Sequence, residues 1–160
     1  MDWLVGFILL LACFGAGATG AIFPPGEWYE RLQRPSWTPP NWMFPVVWTS
    51  LYILMALAGG MVAQKDGGGI ALACWALQIT MNSLWTPVFF GLRRIREALL
   101  VMAGLWVSVL AMVTTHASVD IVAGILLLPY LIWVTVAGAL NVAMVRLNPD
   151  VRPLRIDQLP

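Results

Sequence analysis

The sequence predicts an all-α integral membrane protein, a bundle of five transmembrane helices that forms a single membrane domain over residues 1–160. Of the 160 residues, 60% are hydrophobic and only 11% are charged, whereas a soluble domain carries about a quarter charged residues. Five segments are apolar over about 20 residues, the length that crosses a bilayer core. None of them has Asp, Glu, Lys or Arg in its central turns.

The five predicted helices follow one another with short connections. They cover residues 3–23, 41–64, 70–90, 98–115 and 119–145. Backbone groups within lipid must be hydrogen-bonded internally, so apolar segments of this length are expected to be helical. Loop one (24–40) holds five prolines and is expected to be stiff, with a short interfacial helix near 27–33. The polar tail 146–160 has three prolines and is expected to be mobile.

Basic residues lie almost entirely on one side of this layout. Eight of the nine follow the first, third or fifth helix: Arg31, Arg34, Arg93, Arg94, Arg96, Arg146, Arg152 and Arg155. Only Lys65 lies on the other side. Cytoplasmic loops carry such an excess, so the N-terminus is expected outside and the C-terminus in the cytoplasm. The net charge of +1 provides no field that would attract nucleic acid.

The sequence offers few groups for conventional catalysis. No carboxylate lies in the central turns of the predicted spans to relay protons, since Asp120 is at the very start of the fifth. The single histidine, His116, lacks a Cys, Asp or Glu at metal-ligand spacing and is expected at the membrane interface. We therefore expect no metal, no cofactor and no fast dark reaction.

Aromatic side chains recur at helical spacing on three of the predicted helices. The three faces consist of Phe44, Trp48 and Tyr52; of Gln78, Asn82, Trp85 and Phe89; and of Tyr130, Trp133 and Ala137. Rings with a few amides and no charge describe an apolar cavity for a large flat ligand. Ordinary helix packing is the alternative. Asn82, near mid-membrane, requires a bond to a neighbour or a ligand.

Other tryptophans fit a simpler role at the surface of the membrane. Trp3, Trp42 and Trp75 lie near the ends of predicted spans. Tryptophan is enriched at the level of the lipid headgroups, where its amphipathic ring is favoured. We therefore expect these three rings to belong to an interfacial belt.

Three stretches resemble one known family. Residues 28–52 read WYERLQRPSWTPPNWMFPVVWTSLY, similar to the signature region of the TspO/translocator protein family, also called the peripheral-type benzodiazepine receptor or TspO/MBR family. The family's third and fifth helices resemble MNSLWTPVFFG (81–91) and LLPYLIWVTVAGALN (127–141). With the five-span layout, the resemblance covers residues 3–148 and points to a bacterial member.

The resemblance implies five tilted helices, commonly in a homodimer, and a pocket capped by loop one. Family members bind protoporphyrin IX, haem-like tetrapyrroles, sterols and isoquinoline carboxamides. The positions matching the family's ligand pocket are Trp28, Tyr29, Trp48, Asn82, Phe89, Trp133 and Ala137. Trp48 and Trp133 also match tryptophans linked to light-dependent porphyrin breakdown in bacterial members, which makes them candidate redox-active residues.

Two positions depart from the animal members. Val142 stands where their cholesterol-recognition pattern has tyrosine, although Arg146 is retained, which argues against tight cholesterol binding. Glu97 replaces an aromatic pocket residue, which predicts weaker binding of the synthetic ligands. Gly69 and Ala73 form a small-x-x-x-small step that fits either a dimer face or loose local packing.

These observations predict a membrane receptor or transport protein that binds tetrapyrroles and regulates their transport or synthesis. One alternative is enzyme-like degradation of protoporphyrin IX, dependent on light and oxygen. A structural subunit without a ligand is the other.

Overall fold

The computed structural model describes residues 1–154, which are helical apart from loops and turns. The helices are α1 (Trp3–Ile22), α2 (Gly26–Glu30), α3 (Met43–Val62), α4 (Gly68–Thr86), α5 (Glu97–Val119) and α6 (Ile121–Leu147). Within this range, four helices, α1, α3, α5 and α6, are long and apolar enough to cross a membrane. The fifth long helix, α4, is less apolar, and α2 is the short helix expected in loop one. The chain is therefore an all-helical integral membrane protein.

Each long helix packs one side into the bundle, and its outward side, which is exposed, is also apolar. Helix α5 packs between α4 and α6, α3 packs on α1 and α6, and α1 also touches α4. Met55, Met112 and Leu127 are completely buried in the shared core. Leu100 on α5 and Ile132 on α6 are largely exposed. Such outward apolar faces are stable in lipid, where burial in a protein core is not needed.

Proline changes the course of the third predicted helix. Its prediction extended over 70–90, but α4 ends at Thr86 and a π-helical turn spans Pro87–Gly91. Proline lacks an N–H and its ring clashes with the carbonyl one turn earlier. The wider turn accommodates this clash and carries Phe89 and Phe90 toward the cap of the bundle. Pro129, in contrast, lies inside α6 without ending it.

Two residues expected at the membrane interface are buried instead. The Trp75 side chain is only 3% exposed, and its Nε1 donates to the Met55 carbonyl at 3.2 Å. His116 is completely buried, with Nδ1 2.8 Å from the Met112 carbonyl. Each ring thus has one backbone carbonyl as a polar partner inside the bundle, whereas His116 Nε2 has no partner among the described residues. Trp3 and Trp42, the other two rings predicted for the interfacial belt, are largely exposed.

At one end of the bundle, Asp120 links the connection between α5 and α6 to the connection between α3 and α4. Its Oδ1 accepts hydrogen bonds from the N–H groups of Val122 at 2.9 Å and Ala123 at 3.2 Å, which caps α6. Its Oδ2 accepts from Lys65 Nζ at 2.6 Å. The Lys65 ammonium and the capping N–H groups hold the pKa of the Asp120 carboxyl below its usual range.

This pair should make stability depend on acid pH. Because its folded-state pKa is lowered, Asp120 stabilises the fold at pH values above about 4, and the contribution is lost as pH falls through the lowered pKa. We expect Asp120→Asn to lower the melting temperature at pH 7 and to flatten its decline on acidification. Melting curves in detergent between pH 7 and pH 3 measure both effects. The control is Asp66→Asn, an exposed carboxylate next to Lys65 in the connection between α3 and α4; an identical loss in both variants would contradict the assignment.

At the other end, the tail is bound to two loops. Asn148 Oδ1 accepts from the N–H of Gln33 and its Nδ2 donates to the Gln33 carbonyl, both at 2.9 Å. The Leu154 N–H donates to the Leu92 carbonyl at 3.1 Å. Helix α6 continues two residues into the predicted tail, to Leu147, and these bonds connect described residues of the tail to loop one and to the connection before α5. That the tail is mobile stays a prediction. The rest of the predicted tail, 155–160, lies outside the described residues.

Candidate ligand-binding site

A cleft of two adjoining cavities opens inside the bundle. The deep cavity, of about 400 Å³, is lined from all five long helices, with Phe14, Trp48, Tyr52, Asn82, Leu105 and Trp133 among its walls. The second cavity, of about 380 Å³, lies toward α2 and forms the mouth of the cleft; Tyr29, Asn41, Phe89, Phe90, Asn141 and Met144 line it. Phe44, Trp48, Trp85 and Ala137 border both. These volumes are in the range of small-molecule sites.

Helix α3 contributes the aromatic wall of the deep cavity. Phe44, Trp48 and Tyr52 all line it, which confirms that they share one face. The Trp48 ring lies 5.5 Å from that of Tyr52, and Phe44 meets Trp133 edge-on at 5.7 Å. Aromatic pairs at these separations hold one another in place. The two tryptophans that the sequence singled out therefore border one cavity.

A buried hydrogen-bonded chain supports the deep cavity from behind. Asn82 Nδ2 donates to Tyr130 Oη at 3.0 Å, and Tyr130 Oη donates to Gln78 Oε1 at 2.9 Å. Asn82 thus has the neighbour that its position requires, and an amide can bond further partners on the cavity side. Tyr130, which spacing grouped with Trp133 and Ala137, is buried behind the cavity and does not line it.

The π-helical turn and α2 form the mouth. Phe89 stacks on Trp85 at 4.8 Å, and Tyr29 meets Phe90 edge-on at 5.3 Å. Trp28 packs edge-on against Phe89 at 6.2 Å but does not line either cavity. Of the seven positions expected in the pocket, six border the cleft and Trp28 supports one of them.

Sequence reasoning missed two parts of the site. Asn141 Oδ1 accepts from Trp85 Nε1 at 3.1 Å and its Nδ2 donates to the Ile95 carbonyl at 3.0 Å, which fixes the Trp85 ring between the cavities. The α1 wall was missed as well. At Gly17, an added Cβ would lie 3.0 Å from the Tyr52 ring, so a small residue is needed there. The run of small residues from Gly15 to Ala21 was the available signal.

The cleft is uncharged inside and has cations at its cap. The lining residues include no Asp, Glu, Lys or Arg. The Arg34 guanidinium lies over the Tyr29 ring at 5.3 Å, and that of Arg93 lies over Trp28 at 5.6 Å. Glu97, expected to alter the pocket, lies outside it and pairs with Arg94 at 3.2 Å. In residues 1–154, no three His, Cys, Asp or Glu side chains gather as metal ligands.

The fold and the cleft define a class: an integral membrane protein with an aromatic, uncharged cavity of small-molecule size inside a helical bundle. Comparison with known sequences identifies the family. The TspO/MBR family model matches residues 7–147, so the chain belongs to the TspO/MBR family, as its motifs indicated.

Relatives cover nearly the whole chain. It is 50% identical over 153 residues to Protein CrtK of Rhodobacter capsulatus, covering 93% of this chain and 96% of that one. It is 49% identical over 148 residues to the tryptophan-rich sensory protein of Cereibacter sphaeroides, with 92% and 94% covered. It is 37% identical over 156 residues to the translocator protein of Homo sapiens, with 90% and 89% covered.

Proposed function

We propose that this protein is a membrane receptor or transporter that binds tetrapyrroles such as protoporphyrin IX in the cleft and regulates their transport or synthesis. The observation that carries the proposal is that Trp48 and Trp133 border one uncharged cavity of about 400 Å³. A flat, apolar macrocycle gains from stacking on such rings as well as from burial. The relationship to a tryptophan-rich sensory protein supports a sensory role.

In this proposal the mouth of the cleft binds the polar end of the ligand. Protoporphyrin IX is mostly apolar but carries two propionates, which require donors or cations. Tyr29 lines the mouth, and Arg34 lies over its ring. Smaller sterol-like or isoquinoline carboxamide ligands need only the apolar cavity and a bond to an amide such as Asn82. Because Glu97 lies outside the cleft, it does not by itself argue against these ligands.

In this proposal α4 is the fifth transmembrane span. Its 19 residues rise about 28 Å, close to the thickness of the hydrocarbon core. The residues that lower its apolar character, Gln78 and Asn82, are buried inside the bundle and would not meet lipid. The arginine excess then puts the tail in the cytoplasm and the N-terminus outside. The exposed Gly69 and Ala73 offer a small-residue face for a homodimer.

The proposal predicts that both cavity tryptophans contribute to affinity. We expect Trp48→Leu and Trp133→Leu each to weaken protoporphyrin IX binding about fivefold or more, because each removes stacking worth about 1 kcal/mol in addition to buried area. Titration in detergent, followed by the porphyrin absorbance, measures the affinity. Trp42→Leu, at an exposed ring beside the same helix, is the matched control. Unchanged affinity in both cavity variants would refute the proposed site.

Porphyrin degradation dependent on light and oxygen is the second candidate function. The observation in its favour is that Trp48 contacts two tyrosines, Tyr52 at 5.5 Å and Tyr130 at 6.0 Å. Neighbouring phenol rings could reduce an oxidised indole. Illumination of the porphyrin complex in air distinguishes the two functions: product formation that is lost in Trp48→Phe or Trp133→Phe, with binding retained, would favour degradation.

A further inference from the structure

We propose that a phosphate-binding site lies at the arginine-rich end of the bundle, apart from the aromatic cleft. A depression of about 410 Å³ opens between the connection that precedes α5 and the segment that follows α6. Its charged lining residues are Arg93, Arg94, Arg96, Arg152, Glu97 and Asp150. The ligand chemistry is a phosphate group, carried either by an anionic lipid headgroup or by a soluble phosphate compound.

The charges of the depression favour an anion. The lining includes four arginines and two carboxylates, and one of the carboxylates, Glu97, is already paired with Arg94 at 3.2 Å. Helix α5 begins at Glu97 on the rim, so the positive end of its dipole adds to the field. Guanidinium groups match phosphate oxygens with two parallel N–H donors, which a lone ammonium cannot do.

Contacts within the protein hold most of these arginines in place. The Arg93 guanidinium lies over the Trp28 ring at 5.6 Å, and Arg96 Nη2 donates to the Pro149 carbonyl at 2.7 Å. Arginines that only orient a membrane protein need no such contacts, because they can extend into water or headgroups. Side chains that are already ordered lose less conformational entropy when they bind a ligand. The arrangement therefore fits a binding site better than a topology signal alone.

The backbone of the depression is also unusual. Arg93 adopts a φ of 55°, the one positive value at a non-glycine residue in the part of the chain that is described. Arg93 directly follows Leu92, the C-cap of the π-helical turn, at a position that is commonly left-handed and is usually taken by glycine rather than by a residue with a long side chain. The bond from the Leu154 N–H to the Leu92 carbonyl, 3.1 Å long, holds the opposite wall beside Arg93.

The full-length protein in an uncharged detergent allows a direct test with two probes. The soluble probe is inorganic pyrophosphate, measured by calorimetry. The lipid probe is phosphatidylglycerol, compared with phosphatidylcholine by native mass spectrometry. We expect saturable binding of at least one probe, weakened about fivefold by Arg152→Gln and further by Arg152→Gln with Arg96→Gln. Arg152 is exposed, so its single variant keeps the test valid if loss of the Arg96–Pro149 bond disturbs folding.

The two probes distinguish the sources of the phosphate group. Preference for phosphatidylglycerol without pyrophosphate binding assigns the site to a lipid headgroup, whereas pyrophosphate binding assigns it to a soluble compound. The matched control is Arg31→Gln, which removes one exposed arginine of the same end, paired with Glu27 at 3.0 Å outside the depression. Failure of both probes to bind, or an equal loss in Arg31→Gln and Arg152→Gln, would overturn the proposal.

Discussion

Replacing Ala137 with phenylalanine is expected to weaken protoporphyrin IX binding by at least about tenfold while the bundle remains folded. Ala137 borders both cavities, and it lies one turn after Trp133 on the same side of α6. An aromatic ring at this position would occupy the junction through which a large ligand must extend. Overpacking a filled core costs about 1–3 kcal/mol, but here the added ring projects into open space, so affinity should fall more than stability.

The same porphyrin titration measures this loss, and melting in the same detergent measures stability. Ala139→Phe is the matched control because it adds the same ring to an exposed position of α6. A smaller change, Ala137→Thr, should weaken binding less, and its hydroxyl can bond back to the Trp133 carbonyl. If Ala137→Phe melts at a lower temperature but binds porphyrin normally, Ala137 is only a packing residue.

The length of the apolar segments was enough to locate most helices, because contact with lipid and burial in the core both favour apolar side chains. The second helix was predicted over 41–64 and is Met43–Val62, a difference of two residues at each end. The depth of a ring within the bundle was not predictable in this way. Trp75 carries an N–H that would suit the interface, yet the Met55 carbonyl accepts its bond inside the core. That partner comes from another helix, and periodicity does not reveal it.

In the candidate site, too, the residues that share a helix face were predictable, whereas their contacts with other helices were not. Helical spacing put Phe44, Trp48 and Tyr52 on one face, and the cavity has all three. Spacing also grouped Tyr130 with Trp133, although Tyr130 points to Gln78 and Asn82 instead. A face on a helical wheel is wide enough to meet both a cavity and a neighbouring helix. Whether a side chain on that face meets the cavity or the neighbouring helix depends on how the helices pack. The position of the α1 wall around Gly17 depends on helix packing too.

Removing the Tyr130 hydroxyl should strongly destabilise the protein, because this single group takes part in two buried hydrogen bonds. Tyr130→Phe would leave Gln78 Oε1 without its donor at 2.9 Å and Asn82 Nδ2 without its acceptor at 3.0 Å. Gln78 is completely buried, so water cannot replace the lost bond. Each unsatisfied buried group costs about 1–3 kcal/mol, although hydrogen bonds between membrane helices often contribute less. We expect a loss of about 2 kcal/mol in the free energy of unfolding.

Unfolding in a denaturing detergent measures this loss, with Tyr29→Phe as the control at a half-buried phenol of the mouth. A second change makes the test specific to the hydrogen-bonded chain. Among the described residues, Gln78 Nε2 has no hydrogen-bond partner. Gln78→Leu removes this unsatisfied donor. It also removes Gln78 Oε1, the acceptor that Tyr130→Phe would leave unpaired. Because removing both members of a buried pair costs less than removing one, the double variant should recover stability relative to Tyr130→Phe. Simple additivity of the two single losses would show that the Tyr130–Gln78 hydrogen bond does not contribute to stability.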